Sequence, residues 1–182
     1  MIVELTELPG VLVVRSPVHR DARGFFTEVF HESRFAELGL PHQFVQDNHS
    51  RSTFNVLRGL HFQLEHPQGK LVRPVSGIIF DVAVDLRRSS PHFARWVGVT
   101  LEAGDGRQMW IPPGFAHGFV VLSETADVTY KCTTLYHAES NTCVRWDDPD
   151  ISIRWPIPYG VRPILSPADA AAPMVSATRC YE

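Results

Sequence analysis

The stretch Ile78-Ile79-Phe80-Asp81-Val82-Ala83-Val84-Asp85-Leu86 decides how this chain is read. Ile78, Phe80, Val82, Val84 and Leu86 alternate with Ile79, Asp81, Ala83 and Asp85, which is the period of a β-strand. One face of that strand is apolar and the other carries two carboxylates. Working outward, residues 96–101, 109–111, 119–122 and 127–132 read as further short strands. Turn chemistry separates them at Arg88-Ser89-Ser90-Pro91, Ala103-Gly104-Asp105-Gly106, Pro112-Pro113-Gly114 and Asp147-Asp148-Pro149-Asp150. Helical signals are sparse. Residues 33–39 offer a short helix with Ser33 as its cap and Gly39 as its stop, and a weak second one starts after Pro167. Short strands at this spacing predict an all-β sandwich or barrel filling one domain over residues 1–182. The tail from Ala171 onward is expected on the surface.

Composition narrows the function classes. The chain is 44% hydrophobic and 20% charged, with a formal net charge of -3 over 182 residues. A slightly acidic balance argues against a general polyanion-binding surface, so no nucleic acid is expected. No apolar run approaches the length of a membrane span. The first residues carry acids in place of the basic-then-apolar pattern of an export signal, so a cytoplasmic protein is expected. Cys132, Cys143 and Cys180 form an odd set without CxxC spacing and read as reduced thiols.

Nine histidines invite a search for chemistry. Polar groups alternate through Gln46-Asp47-Asn48-His49-Ser50 and on to Arg58-Gly59-Leu60-His61-Phe62-Gln63, then Gly69-Lys70. A polar inner face is what a ligand cavity inside a β-barrel needs. Arg58 and His61 are three apart, so a regular strand points them to opposite faces. A bulge at Gly59 would turn both into one cavity. Tyr130 and Tyr136 are six apart, and an extended run would put both rings on one face. No nucleophile elbow and no glycine-rich phosphate loop is present. Pro112-x-Gly114-x-x-His117 matches half of a cupin metal signature, but the other half reads His61-x-Gln63. One imidazole from each segment and no paired carboxylate is a poor ligand set for zinc, iron or manganese, and no tightly bound metal is expected there.

The blocks Arg23-Gly24-Phe25-Phe26-Thr27-Glu28, Gln46-Asp47-Asn48-His49-Ser50, Leu57-Arg58-Gly59-Leu60-His61-Phe62-Gln63 and Gly69-Lys70-Leu71-Val72-Arg73 resemble the signature of the dTDP-4-dehydrorhamnose 3,5-epimerase family. So do Ile111-Pro112-Pro113-Gly114-Phe115-Ala116-His117-Gly118-Phe119 and Trp146-Asp147-Asp148-Pro149-Asp150-Ile151. The resemblance runs from about Arg23 to Asp169. It implies a cupin jelly-roll barrel (a double-stranded β-helix) with a few short peripheral helices and no cofactor. It also implies a homodimer in which the N-terminal segment, about residues 1–30, crosses to the partner.

The activity implied is inversion at C3 and C5 of dTDP-4-dehydro-6-deoxy-D-glucose. Both carbons flank a ketone, so the site needs a near-neutral base, a donor opposite it and a cation at the ketone oxygen. By resemblance His61 is the base, Asp169 its carboxylate partner, Lys70 the cation and Tyr130 the donor. Arg58 is carried over to the diphosphate, and His117 to the sugar and diphosphate. Arg23, Phe26 and Glu28 are carried over to the crossing segment, and Gln46, Asn48 and Tyr136 to the nucleotide side. Without the resemblance Asp169 reads as a helix-start residue, Phe26 as a core aromatic and Glu28 as a surface acid. Ala168, Asn141 and Cys143 depart from the family pattern, which leaves nucleotide recognition open. The competing readings are a single-site 3- or 5-epimerase, a metal-dependent cupin and a silent sugar-binding jelly roll.

Overall fold

The computed structural model describes residues 1–182. The strands are β1 (Ile2–Leu5), β2 (Leu12–Arg15), β3 (His19–Asp21), β4 (Gly24–Phe26), β5 (Gln46–Thr53), β6 (Leu57–Gln63), β7 (Lys70–Ser76), β8 (Ile78–Asp85), β9 (Trp96–Glu102), β10 (Arg107–Ile111), β11 (Phe115–Val121), β12 (Thr125–Cys132) and β13 (Asn141–Cys143). Two short helices, α1 (Glu32–Glu37) and α2 (Pro167–Ala170), lie outside them. One antiparallel sheet runs β1-β2-β10-β7-β12-β5 and the other β13-β6-β11-β8-β9. The protein is an all-β cupin jelly roll. β3 and β4 pair only with each other, as a separate hairpin.

Three apolar clusters define the layers. Val72, Ile79, Ala83, Met109, Phe115, Phe119 and Val128 fill the space between the sheets. Leu60, Phe62, Val82, Val84, Leu86 and Ala116 cover the outside of the five-stranded sheet, under Val144, Ile151, Val175 and Cys180. Val14, Leu71 and Trp110 cover the outside of the six-stranded sheet, under Phe35 and Leu40. The strand that opened the sequence reading, β8, is therefore buried on both faces. Its carboxylate face is the barrel interior, where Asp81 and Asp85 are both fully buried.

Several expectations need correction. Helix α1 begins two residues earlier than a Ser33 cap would set it, with His31 as an N-cap that makes no side-chain bond, and Ser33 caps nothing. The inward packing of Phe35 and Leu40 sets that helix, with Leu40 N–H closing onto the Phe35 carbonyl. Gly39 does stop it, at φ +69°. The strand of Tyr130 ends at Cys132, because Thr133 N–H donates to the Gly69 carbonyl and Thr134 Oγ1 to the His66 carbonyl. Tyr136 thus sits in an exposed loop, and the same-face argument does not apply to it. Phe26 is no core aromatic: 70% of it is exposed on the hairpin. Nor does the tail lie on the surface. Ala172, Val175, Thr178 and Cys180 are buried, and Tyr181 Oη donates to the Gln63 carbonyl at 2.6 Å. The apolar outer face of β6, β8 and β11 needs a cover, and the tail supplies it.

Candidate active site

The interior site begins with a bulge. β6 and β11 pair His61 with His117 but Arg58 with Phe119, so three residues of β6 span two of β11. His117 and Phe119 share the inward face of β11. The bulge therefore turns both Arg58 and His61 inward, as the spacing around Gly59 predicts. Only glycine serves there. Gly59 holds φ +126°, and a Cβ on it would meet Gly118 Cα at 2.5 Å.

His61 Nε2 lies 2.6 Å from Asp169 Oδ1, and the other Asp169 oxygen accepts from Ser166 Oγ at 2.8 Å. Ser166 also caps α2 by accepting from Asp169 N–H. Asp169 is thus both the helix-start residue and the partner of His61. Burial opposes its ionisation, but the hydrogen bonds from His61 and Ser166 outweigh it and hold the carboxyl below its ordinary range. With Nε2–H donating to that carboxylate, Nδ1 of His61 is the nitrogen left with a lone pair. The His61 side chain is 40% exposed, so it has access from outside.

A second pair lies deeper. His117 Nε2 stands 2.7 Å from Asp81 Oδ1, and both are buried. Burial pushes the His117 pKa down, Asp81 opposes that, and positive charge on the nearby Lys70 adds to it. His117 is neutral at pH 7. Its ring centre lies 6.4 Å from that of Tyr130. Tyr130 pairs with Val72 on β7, and Cys132 with Lys70, which puts Lys70 on the same interior face. Burial drives the Lys70 pKa down, opposed by Cys132 and Asp81. Burial drives the Tyr130 pKa up, so the phenol keeps its proton at pH 7.

The rim is polar. Arg58 Nε donates to Ser52 Oγ and its Nη2 to the Arg51 carbonyl, an arrangement that fixes the guanidinium without a carboxylate partner. Gln46 Nε2 donates to Asn48 Oδ1, while Gln46 Oε1 accepts from Tyr136 N–H. Gln46 and Asn48 lie beside Cys132 and Tyr130 on β5, so both belong to the interior.

His61, Asp169, Lys70, Tyr130, Arg58, His117, Gln46 and Asn48 are thus brought together, with Tyr136 at the rim. Arg23, Phe26 and Glu28 are not. Arg23 is paired with Asp21, and Glu28 with Arg34, on or beside the outlying hairpin. Of the three departures, Cys143 stands opposite His61 on β13, beside the His61–Asp169 pair. Asp81, the hydrogen-bond partner of His117, is not among the site residues expected from sequence, although the carboxylate face of its strand is visible in the alternation. No group of three or more His, Cys, Asp or Glu side chains is placed to hold a metal ion. A groove of about 400 Å³ runs along the six-stranded sheet, lined by Leu71, Arg73 and Thr129 and also by Asn48 and Tyr130 of the site.

The family model described as dTDP-4-dehydrorhamnose 3,5-epimerase matches residues 5–177. The chain belongs to the dTDP-4-dehydrorhamnose 3,5-epimerase family. Its relative of that name from Salmonella typhimurium is 53% identical over 177 residues, 96% of each chain. The crystal structure of a dTDP-6-deoxy-D-glucose-3,5-epimerase from Legionella pneumophila, in complex with dTDP-4-keto-L-rhamnose, superposes with a TM-score of 0.93 at 47% identity. That match covers 98% of this chain and 94% of the other. A 3'-monoepimerase from Streptomyces bikiniensis in complex with dTDP-quinovose has the same fold at a lower 31% identity and a TM-score of 0.86, over 94% and 86% of the two chains. A 3'-monoepimerase therefore shares this architecture. No helix here is long and apolar enough to cross a membrane.

Proposed function

We propose that the chain converts dTDP-4-dehydro-6-deoxy-D-glucose to dTDP-4-dehydro-L-rhamnose in the cytoplasm, inverting C3 and C5 by proton removal and return. The observation that carries the proposal is the His61–Asp169 pair, 2.6 Å apart, on the five-stranded wall of a barrel interior whose six-stranded wall carries Lys70 and Tyr130. His61 Nδ1 takes the proton from the carbon beside the C4 ketone. The electron pair moves onto the ketone oxygen, and the Lys70 ammonium offsets the charge that develops there. Asp169 stabilises the imidazolium. Tyr130, protonated at pH 7, returns a proton from the opposite face.

Arg58 holds the diphosphate, with the fork left free by Ser52 and the Arg51 carbonyl. His117, neutral and anchored by Asp81, supports the sugar and diphosphate. Gln46, Asn48 and Tyr136 meet the nucleotide. Arg23, Phe26 and Glu28 serve the partner's site in a homodimer. Their hairpin supports that assignment, since Phe25 and Phe26 are 55% and 70% exposed on a two-stranded unit.

Inversion at both carbons is favoured over a single-site reaction because the 3,5-epimerase relatives share more of the sequence than the monoepimerase does. The test is incubation with the 4-keto-6-deoxy nucleotide sugar in D₂O. Deuterium at both C3 and C5, with inversion at each, supports the proposal. Deuterium at one carbon alone selects the single-site reaction, and none at either refutes both.

A further inference from the structure

Two imidazoles that the mechanism does not use meet at the rim of the barrel. The rings of His66 and His137 stand 4.9 Å apart, centre to centre, with a 59° angle between their planes. They belong to different loops, one after β6 and one after β12. A single side chain ties those loops together: Gln63 Nε2 donates to the His66 carbonyl at 2.8 Å, and Gln63 Oε1 accepts from His137 N–H at 2.9 Å. Gln63 is 3% exposed, so the clamp is rigid. His66 also holds φ +55°, a backbone conformation that non-glycine residues seldom adopt.

The hydrogen bonds fix which nitrogen of His137 is free. Ser140 Oγ has one proton, and it donates that proton to the Glu65 carbonyl at 2.7 Å. The 3.0 Å contact between Ser140 Oγ and His137 Nδ1 must then be donated by Nδ1–H. In the neutral ring Nε2 is left as a lone pair with no partner. A metal-binding histidine needs that state: one ring nitrogen anchored by an outer partner, the other unprotonated. His66 makes no ring hydrogen bond, so both of its nitrogens are open.

We propose that His66 and His137 form a binding site for a divalent transition metal that favours imidazole, with zinc as the representative ion. Two protein ligands on a clamped pair of loops leave the remaining positions to water, so the ion is exchangeable. The site lies outside the barrel interior and takes no part in the proton transfers. Its occupancy would tie the loop bearing Tyr136 to the loop after β6.

The test is calorimetric titration of the full chain with zinc chloride at pH 7.5 in a non-chelating buffer. The expected result is one saturable site per chain, abolished by His66→Asn and by His137→Asn. Both side chains are at least partly exposed, so the variants should keep the wild-type melting curve. Ser140→Ala is expected to weaken binding about 10–100-fold by releasing the Nδ1 anchor. Binding should also weaken as the solution is acidified, because proton and metal compete for the same ligand lone pairs. The absence of saturable binding in the wild type, or binding unchanged in either histidine variant, overturns the proposal. Neither result bears on the epimerase reading, because turnover without added zinc should be equal in all four proteins.

Discussion

His61 and Asp169 are separated by 108 residues and meet at 2.6 Å. The carboxylate is steered from both ends, by the imidazole on one oxygen and the Ser166 hydroxyl on the other. Asp169→Asn should therefore lower kcat more than it raises KM. A general base acting without its partner loses part of a contribution worth about 10²–10⁴-fold. His61→Asn should abolish detectable turnover, and the double variant should be no worse than His61→Asn alone, since the two act as a unit. Strictly additive losses would separate them.

Tyr130→Phe removes the donor while leaving the base. Exchange of substrate hydrogen with D₂O should persist, and formation of inverted product should fall by about 10²–10⁴-fold. Nuclear magnetic resonance of the recovered sugar reads both quantities in one experiment. Wild-type inversion rates in this variant would assign the donor elsewhere.

Gly59→Ala tests the bulge. The added methyl group would press on the Gly118 backbone in a conformation that costs a non-glycine residue about 1–3 kcal/mol. For a chain of this size each kcal/mol moves the melting temperature by roughly 2–4 °C. Activity should fall as well, because Arg58 and His61 take their shared inward aim from this residue. A melting temperature within a degree of wild type would mean that the bulge tolerates a side chain.

Asp85 sets a pH dependence of stability. It is fully buried, which opposes ionisation, but hydrogen bonds from Arg87 and Ser90 hold its carboxyl below the ordinary value. A depressed folded pKa contributes stability above the unfolded value of about 3.9, and that contribution fades as pH drops through the folded one. Urea midpoints of the wild type should thus decline below about pH 4, and Asp85→Asn should be less stable at pH 7 with a shallower acid decline. An unchanged midpoint at pH 7 would dismiss the pair as a source of stability.

Alternation at period two revealed the core strands because each strand of the barrel has two distinct faces, as β8 does. What it could not tell was whether the carboxylate face of β8 looks inward or outward, since Asp81 and Asp85 would suit solvent equally well. The inward face of β6 was legible from Gly59 alone, because few residues can form such a bulge. The Tyr130–Tyr136 inference failed because strand parity lasts only as long as the strand, and Thr133 and Thr134 end this one through long-range bonds. The tail was misread for a related reason. Its small and polar residues suggest exposure, yet Val175 and Cys180 fill the remaining gap over an apolar sheet. The pairing of His61 with Asp169 was available only through family resemblance, as no local pattern connects residues so far apart.

The position of α2 late in the chain carries a consequence for biosynthesis. Every strand of both sheets ends by Cys143, whereas the carboxylate that completes the base arrives only with α2. A polypeptide halted between those points would carry the whole set of strands and a His61 without its carboxylate partner. Ribosomal stalling in that interval should therefore release a chain whose five-stranded sheet also lacks the cover of Val175 and Cys180, so the final stretch completes the core and the site together.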